Sequence, residues 1–197
     1  MITNVLLTGV GGQGTITASQ VLAQVCLLND WQIKKSEIHG MSQRGGSVES
    51  HVRFSPDEPI FSPTIPDGEV DVLLGFELLE ALRGLPQVRP HGIIVADPRR
   101  IVPLTVTLGA AEYPEDALDR LHASGRRVLI VPAFDEACAL GEPRAANIIL
   151  LGAACAALGI AAAAMEEAVR LTVKPKALEV NLQGLGRGLE LGADLTP

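Results

Sequence analysis

Residues Asn4 to Val10 form an apolar run that ends directly in Gly9-Val10-Gly11-Gly12-Gln13-Gly14. Beyond it, Ala18, Val21, Leu22, Val25 and Leu28 recur at helical spacing to about Asn29. A buried strand, a glycine turn and an amphipathic helix in that order commit the chain to the opening unit of an α/β sheet. The glycines fit G-x-G-x-x-G, a pattern in which bare backbone turns tightly and lets a phosphate approach a helix N-terminus. A dinucleotide site would also call for an acidic residue about 20 positions on. Asp30 and Glu37 flank that distance, and neither clearly ends the next strand. An anion near the turn and mere helix–strand packing both remain open on these residues.

The rest of the chain continues the alternation. Ile33–His39 reads as a strand, Gly40–Gly46 as a polar loop, and Ser47–Phe54 as a strand. In the last, Val48, Ser50, Val52 and Phe54 share one face and the other is solvated or turned to a partner. Ser55–Pro66 holds four prolines and reads as a long loop. Strands are expected at Val70–Phe76, Gly92–Ala96 and Arg127–Val131, with a short one at Thr105–Leu108. Helices are expected at Glu77–Leu85, from Pro114 to Gly125, and at Glu136–Leu140. The C-terminal third reads as helices over 144–158, 162–172 and 176–191. The pattern implies a three-layer α/β/α arrangement with a mostly parallel, mixed sheet, and all of 1–197 as a single domain.

Composition narrows the function. Of 197 residues, 47% are hydrophobic and only 3% aromatic, so the core is aliphatic and rings for base stacking are scarce. The formal net charge is −7 and no run of Lys and Arg is longer than a pair, which argues against a nucleic-acid partner. Cys26, Cys138 and Cys155 stand far apart in apolar stretches and read as buried thiols in a reducing cytoplasm. No C-x-x-C occurs, so no cluster or structural metal is expected on this chain. No signal peptide is expected at Met1. Ile148–Met165 is uncharged and long enough for a membrane span, but its Ala/Gly composition and Gly159 suggest two buried helices instead.

Two further segments carry chemistry. Gln43-Arg44-Gly45-Gly46 sets a guanidinium beside flexible backbone, suited to a carboxylate or phosphate, or to a plain surface connection. Lys174-Pro175-Lys176 places two positive charges at a helix start, where the dipole disfavours them; a bound anion or a partner's acidic patch would relieve this, or they are simply solvated. His39 is a conceivable general base, yet no acid–base set completes it, and His39 with His51 makes a poor metal pair. No catalytic residue is assigned.

TGVGGQG followed by SEIHGMSQRGGSVESHVRF, then VDVLLGFELLEALR and VKPKALEVNLQGLGRGLELG, resembles the gamma-type domain of the 2-oxoacid:ferredoxin oxidoreductases over nearly the whole chain. Gamma subunits for pyruvate or 2-oxoglutarate usually carry Y-G-P-E-x-R-G-G in the second segment. The version here, His39-Gly40-Met41-Ser42-Gln43-Arg44-Gly45-Gly46, looks like that of the small subunit of the indolepyruvate enzymes. The resemblance implies oxidative decarboxylation of an aryl pyruvate to an acyl-CoA. Thiamine diphosphate and iron–sulfur clusters would be held by a large alpha subunit and electrons passed to ferredoxin, in the cytoplasm and without a membrane. Gly9, Gly11, Gly12, Gln13, Gly14, Gln43, Arg44, Gly45 and Gly46 would then face coenzyme A or the partner. The alternatives are a gamma subunit for pyruvate, 2-oxoisovalerate or 2-oxoglutarate, or a free-standing module binding a nucleotide or acyl-CoA. Whether the isolated chain forms a homodimer stays open.

Overall fold

The sheet holds six strands in the order β2-β3-β1-β4-β5-β6. A computed structural model describes residues 1–40 and 45–193. The strands are β1 (Thr3–Val10), β2 (Gln32–His39), β3 (Ser47–Ser55), β4 (Val70–Gly75), β5 (Val88–Ala96) and β6 (Arg127–Ile130). The helices are α1 (Thr15–Leu28), α2 (Leu78–Gly84), α3 (Leu104–Thr107), α4 (Ala117–His122), α5 (Ala133–Ala139), α6 (Ala146–Ala154), α7 (Ala162–Thr172) and α8 (Leu178–Leu191). β1, β4, β5 and β6 are parallel neighbours; β3 alone runs against them, between β1 and β2. The expected mostly parallel, mixed α/β sheet with a helical C-terminal third is the one observed.

Alternation along the strands sorts the core into two layers. Val5, Leu7, Val72 and Leu74 face Ala18, Val21, Leu22 and Val25 of α1 and the buried run Ile148–Leu151 of α6. Leu6, Leu73 and Ile94 face Leu78 and Ala81 of α2 and Leu121 of α4. The few aromatics are used locally. Trp31 stacks on Phe54 at 5.6 Å and 10°, closing the corner between α1 and β3 for about 0.5–1.5 kcal/mol beyond burial.

Four expectations change. Thr105–Leu108, expected as a short strand, is the one-turn helix α3, because Pro103 fixes the preceding dihedral and its carbonyl accepts from Val106 N and Thr107 N. Cys138 is exposed, whereas Cys26 and Cys155 are buried. Burial lifts the Cys26 thiol to about 12 and the Cys155 thiol to about 11. β5 starts at Val88 rather than Gly92, reached through an irregularity in its pairing with β4. The second face of β3 is not freely solvated, since His51 is 3% exposed and its Nδ1 accepts from Ile65 N at 3.3 Å in the proline-rich segment. Among the described residues, no helix is long and apolar enough to cross a membrane. The apolar stretch divides into α6 and α7, with Gly159 between them at φ +64°.

Candidate functional site

The chain leaving β1 passes to α1 on one face of the sheet, and the chain leaving β4 passes to α2 on the other. Diverging connections open a crevice at the carboxyl ends of these strands, the usual ligand position in such sheets. Gly9–Gly14 lies at that point. A cleft of about 360 Å³ there is walled by Gly11, Gly12, Gly45, Asp97, Arg99 and Phe134.

The glycines of the turn have different work. A Cβ on Gly9 would press at 2.9 Å on Thr15 Oγ1 and 3.0 Å on Phe76 Cβ, so this residue serves packing. Gly14 caps α1 in the left-handed region at φ +84°, and a Cβ there would collide with the Asn147 amide. Asn147 itself donates Nδ2 to Gly14 O at 3.1 Å. Gly12, at φ +105°, has open space where a side chain would go. Gln13 is occupied within the turn. Its Oε1 accepts from Val10 N at 2.7 Å and its Nε2 donates to Phe76 O at 2.6 Å, tying β1 to the start of α2.

The structure brings the two glycine segments of the sequence together. Gly11 N donates to Gly46 O at 2.8 Å, with a longer return contact from Gly45 N to Gly11 O at 3.5 Å. Ser47 Oγ then donates to Glu80 Oε2 at 2.6 Å, fixing the start of β3 to α2. Gln43 and Arg44 lie outside the described residues. The first turn of α1 has neither a side-chain cap nor an acidic residue, so its leading N–H groups and positive dipole end carry no side-chain acceptor; Thr15 and Ile16 border a cavity with His39, and Thr17 one with Lys174.

Three residues that the sequence reasoning passed over complete the wall. Asp97 is 4% exposed; its Oδ1 accepts from Arg99 N and its Oδ2 from Phe134 N, both at 2.8 Å. It thereby holds the loops after β5 and β6 in register. The Arg99 guanidinium carbon lies over the Phe134 ring, 3.6 Å from its centroid. The available signal was positional, since Asp97 directly follows the apolar run of β5. Lys174 and Lys176 do reach the same neighbourhood. With Arg144 and Asn147 they border a second cleft of about 450 Å³ on the far side of Gly12–Gly14. His39 lies on a third side, in a cavity with Ile16 and Val48, remote from buried His51. Among the described residues no group of three His, Cys, Asp or Glu could hold a metal ion.

Burial raises the Asp97 carboxyl above its ordinary range, against the pull of the two N–H groups and Arg99. A carboxyl with a raised folded pKa prefers to be protonated in the folded state. Its contribution to stability is therefore greatest in acid and falls as pH rises through the interval up to the raised value. Asp97→Asn, which leaves one backbone N–H without an acceptor, is expected to cost about 1–3 kcal/mol at the acid end. Denaturant titrations from acid to neutral pH should show that cost narrowing upward. A gap independent of pH would refute the raised carboxyl.

Residues 4–191 match the pyruvate ferredoxin/flavodoxin oxidoreductase family model. The chain belongs to this family. The indolepyruvate oxidoreductase subunit IorB of Pyrococcus horikoshii is 34% identical over 197 residues, covering 98% of this chain and 96% of that protein. The IorB subunit of Archaeoglobus fulgidus is 35% identical over 189 residues, covering 94% and 92%. The solved gamma subunit of a keto/oxoacid ferredoxin oxidoreductase from Geobacter sulfurreducens shares the fold, with a TM-score of 0.73 at 22% identity and 98% and 99% coverage.

Proposed function

We propose that this chain is the small subunit of an indolepyruvate:ferredoxin oxidoreductase and forms a single domain over 1–197. Its role is to present the crevice at the carboxyl ends of β1 and β4 to coenzyme A and to a large partner chain in the cytoplasm. The observation that carries the reading is the pair of IorB relatives at 34% and 35% identity, matched along nearly all of both chains. The local chemistry supports a phosphate-bearing ligand. The turn offers bare backbone at Gly12 beside the Arg99 guanidinium in one cleft, and Gly12 with the uncapped start of α1 and Lys174 in the adjoining one. Coenzyme A, when bound, supplies the thiol that takes up the acyl group. The residues of this chain orient it: Gly12 leaves room, the N–H groups of α1 and Arg99 meet negative charge, and Asp97 keeps Arg99 against Phe134. Thiamine diphosphate, the iron–sulfur clusters and the contact with ferredoxin belong to the large alpha subunit in this reading.

The test is co-expression with the large chain, followed by reduction of ferredoxin with indolepyruvate, pyruvate, 2-oxoisovalerate or 2-oxoglutarate. Indolepyruvate is expected to give the highest kcat/KM, and neither chain alone is expected to turn over. A clear preference for another 2-oxoacid, or no association of the chains, would overturn the reading. In the same complex Arg99→Gln is expected to raise KM for coenzyme A about tenfold or more, because a charge-assisted contact is worth about 1.5–3 kcal/mol, while loss of the contact with Phe134 lowers the thermal midpoint by only a few degrees. An unchanged KM would remove Arg99 from the site.

A further inference from the structure

The strand at one end of the sheet carries more information than its position requires. β2 pairs with β3 through Gln32–His39, and among the described residues no strand lies on its other side. Most of it is exposed, and Ile38 is 50% exposed. Its odd residues face α1: Ile33 packs on the core there, and Lys35 Nζ reaches Ser19 Oγ at 3.5 Å and Glu37 Oε1 at 2.7 Å. Lys34, Ser36 and Ile38 therefore line the opposite face.

We propose that β2 is a self-pairing edge, through which two copies of this chain associate antiparallel about a two-fold axis at Ser36. The argument is one of register. A two-fold axis perpendicular to the sheet keeps each face on its own side, so odd residues can oppose only odd ones and even only even. Among the central registers that satisfy this, one centres on Lys35 and sets Lys35 against its own copy. Another centres on Glu37 and sets carboxylate against carboxylate. Both are unfavourable. The register centred on Ser36 opposes Lys35 to the partner's Glu37 twice. It also lays the methylenes of Lys34 along the partner's Ile38 and sets Ile33 beside the partner's His39. Lysine on an edge strand ordinarily deters pairing. Here the lysine comes with a carboxylate two residues on, and the two form an alternating square of charge with their copies. A pairing confined to one strand buries little area, so the dimer is weak and concentration-dependent.

The experiment uses the full chain, purified alone, with sedimentation equilibrium over a wide concentration range. Wild type is expected to show a reversible monomer–dimer equilibrium. Lys35→Glu and Glu37→Lys are each expected to raise the dissociation constant about tenfold or more, since each makes two like-charge oppositions. The double exchange K35E/E37K is expected to restore the dimer. The register is read separately by cross-linking in a Cys138→Ser background, which removes the exposed thiol. Ser36→Cys should oxidise to a covalent dimer, and Lys34→Cys should not. A wild-type monomer at every concentration, dimerisation indifferent to either reversal, a double exchange that stays monomeric, or equal cross-linking at both positions would each overturn the proposal.

Discussion

Glu77→Ala is expected to lower the stability of the folded chain by about 3–5 kcal/mol and its thermal midpoint by roughly 10 °C. Glu77 is fully buried, and the Arg100 guanidinium lies within electrostatic reach of it. Three donors hold it. Glu80 N at 2.9 Å makes it the cap of α2, Ile101 N reaches it at 3.0 Å, and the Tyr113 hydroxyl at 2.8 Å. Burial and the bond to this carboxylate raise the Tyr113 phenol well above its usual value. One side chain thus starts a helix and pins both ends of the segment between β5 and α4. Alanine strands all three donors at once, where loss of a surface cap alone costs about 0.5–2 kcal/mol. Tyr113→Phe removes a single donor and is expected to cost about 1 kcal/mol. Denaturant titration of both variants checks the ratio. A loss for Glu77→Ala no larger than that for Tyr113→Phe would show that the other two bonds contribute nothing.

Gly188→Ala is the second large effect, at about 3 kcal/mol from overpacking. α8 crosses α6 with their backbones nearly touching. A Cβ on Gly188 would collide with the Ile149 carbonyl oxygen, and one on Gly152 would stand 2.8 Å from Leu185 O. Neither obstacle is a side-chain end that can swing away, so the helices must separate along their length. Gly186 is two residues away on the same helix and has nothing within reach of an added Cβ. Gly186→Ala is expected to stabilise the chain by about 0.5–1 kcal/mol through helix propensity alone. The opposite signs, read from two melting curves, separate a packing glycine from an incidental one.

The regular alternation of this sheet was legible because its buried strands are continuous apolar runs and its helices keep their spacing. The strand–turn–helix opening, the long loop at 55–66 and the helical end all follow from that. What failed is informative about where such patterns lose force. Thr105–Leu108 has β-branched residues and is nevertheless a helical turn, since Pro103 sets its geometry and no neighbouring strand takes it up. Cys138 lies in an apolar stretch, yet its helix turns it outward, which composition does not encode. In the site, the glycine segments were visible as motifs. Their meeting through Gly11 and Gly46 was not, because it depends on β3 running opposite to β1. Asp97, Arg99 and Phe134 come from two separate loops and have no shared spacing to detect.

The lone reversed strand has a consequence for how such a chain can diversify. Because β3 enters the sheet from the crevice end, Gly45 and Gly46 at its start are delivered beside the glycine turn, and they close the link from β2. Of the link's two described ends, Gly40 has no neighbour that an added side chain would strike, while Gly45 sits at φ +75°, where glycine is favoured. Chemistry at Gly40 can be rewritten while Gly45, the β1–β3 ladder and the aliphatic layers beneath stay as they are. The sheet thus works as a fixed handle with an exchangeable tip, and relatives that differ in what they accept would diverge first there.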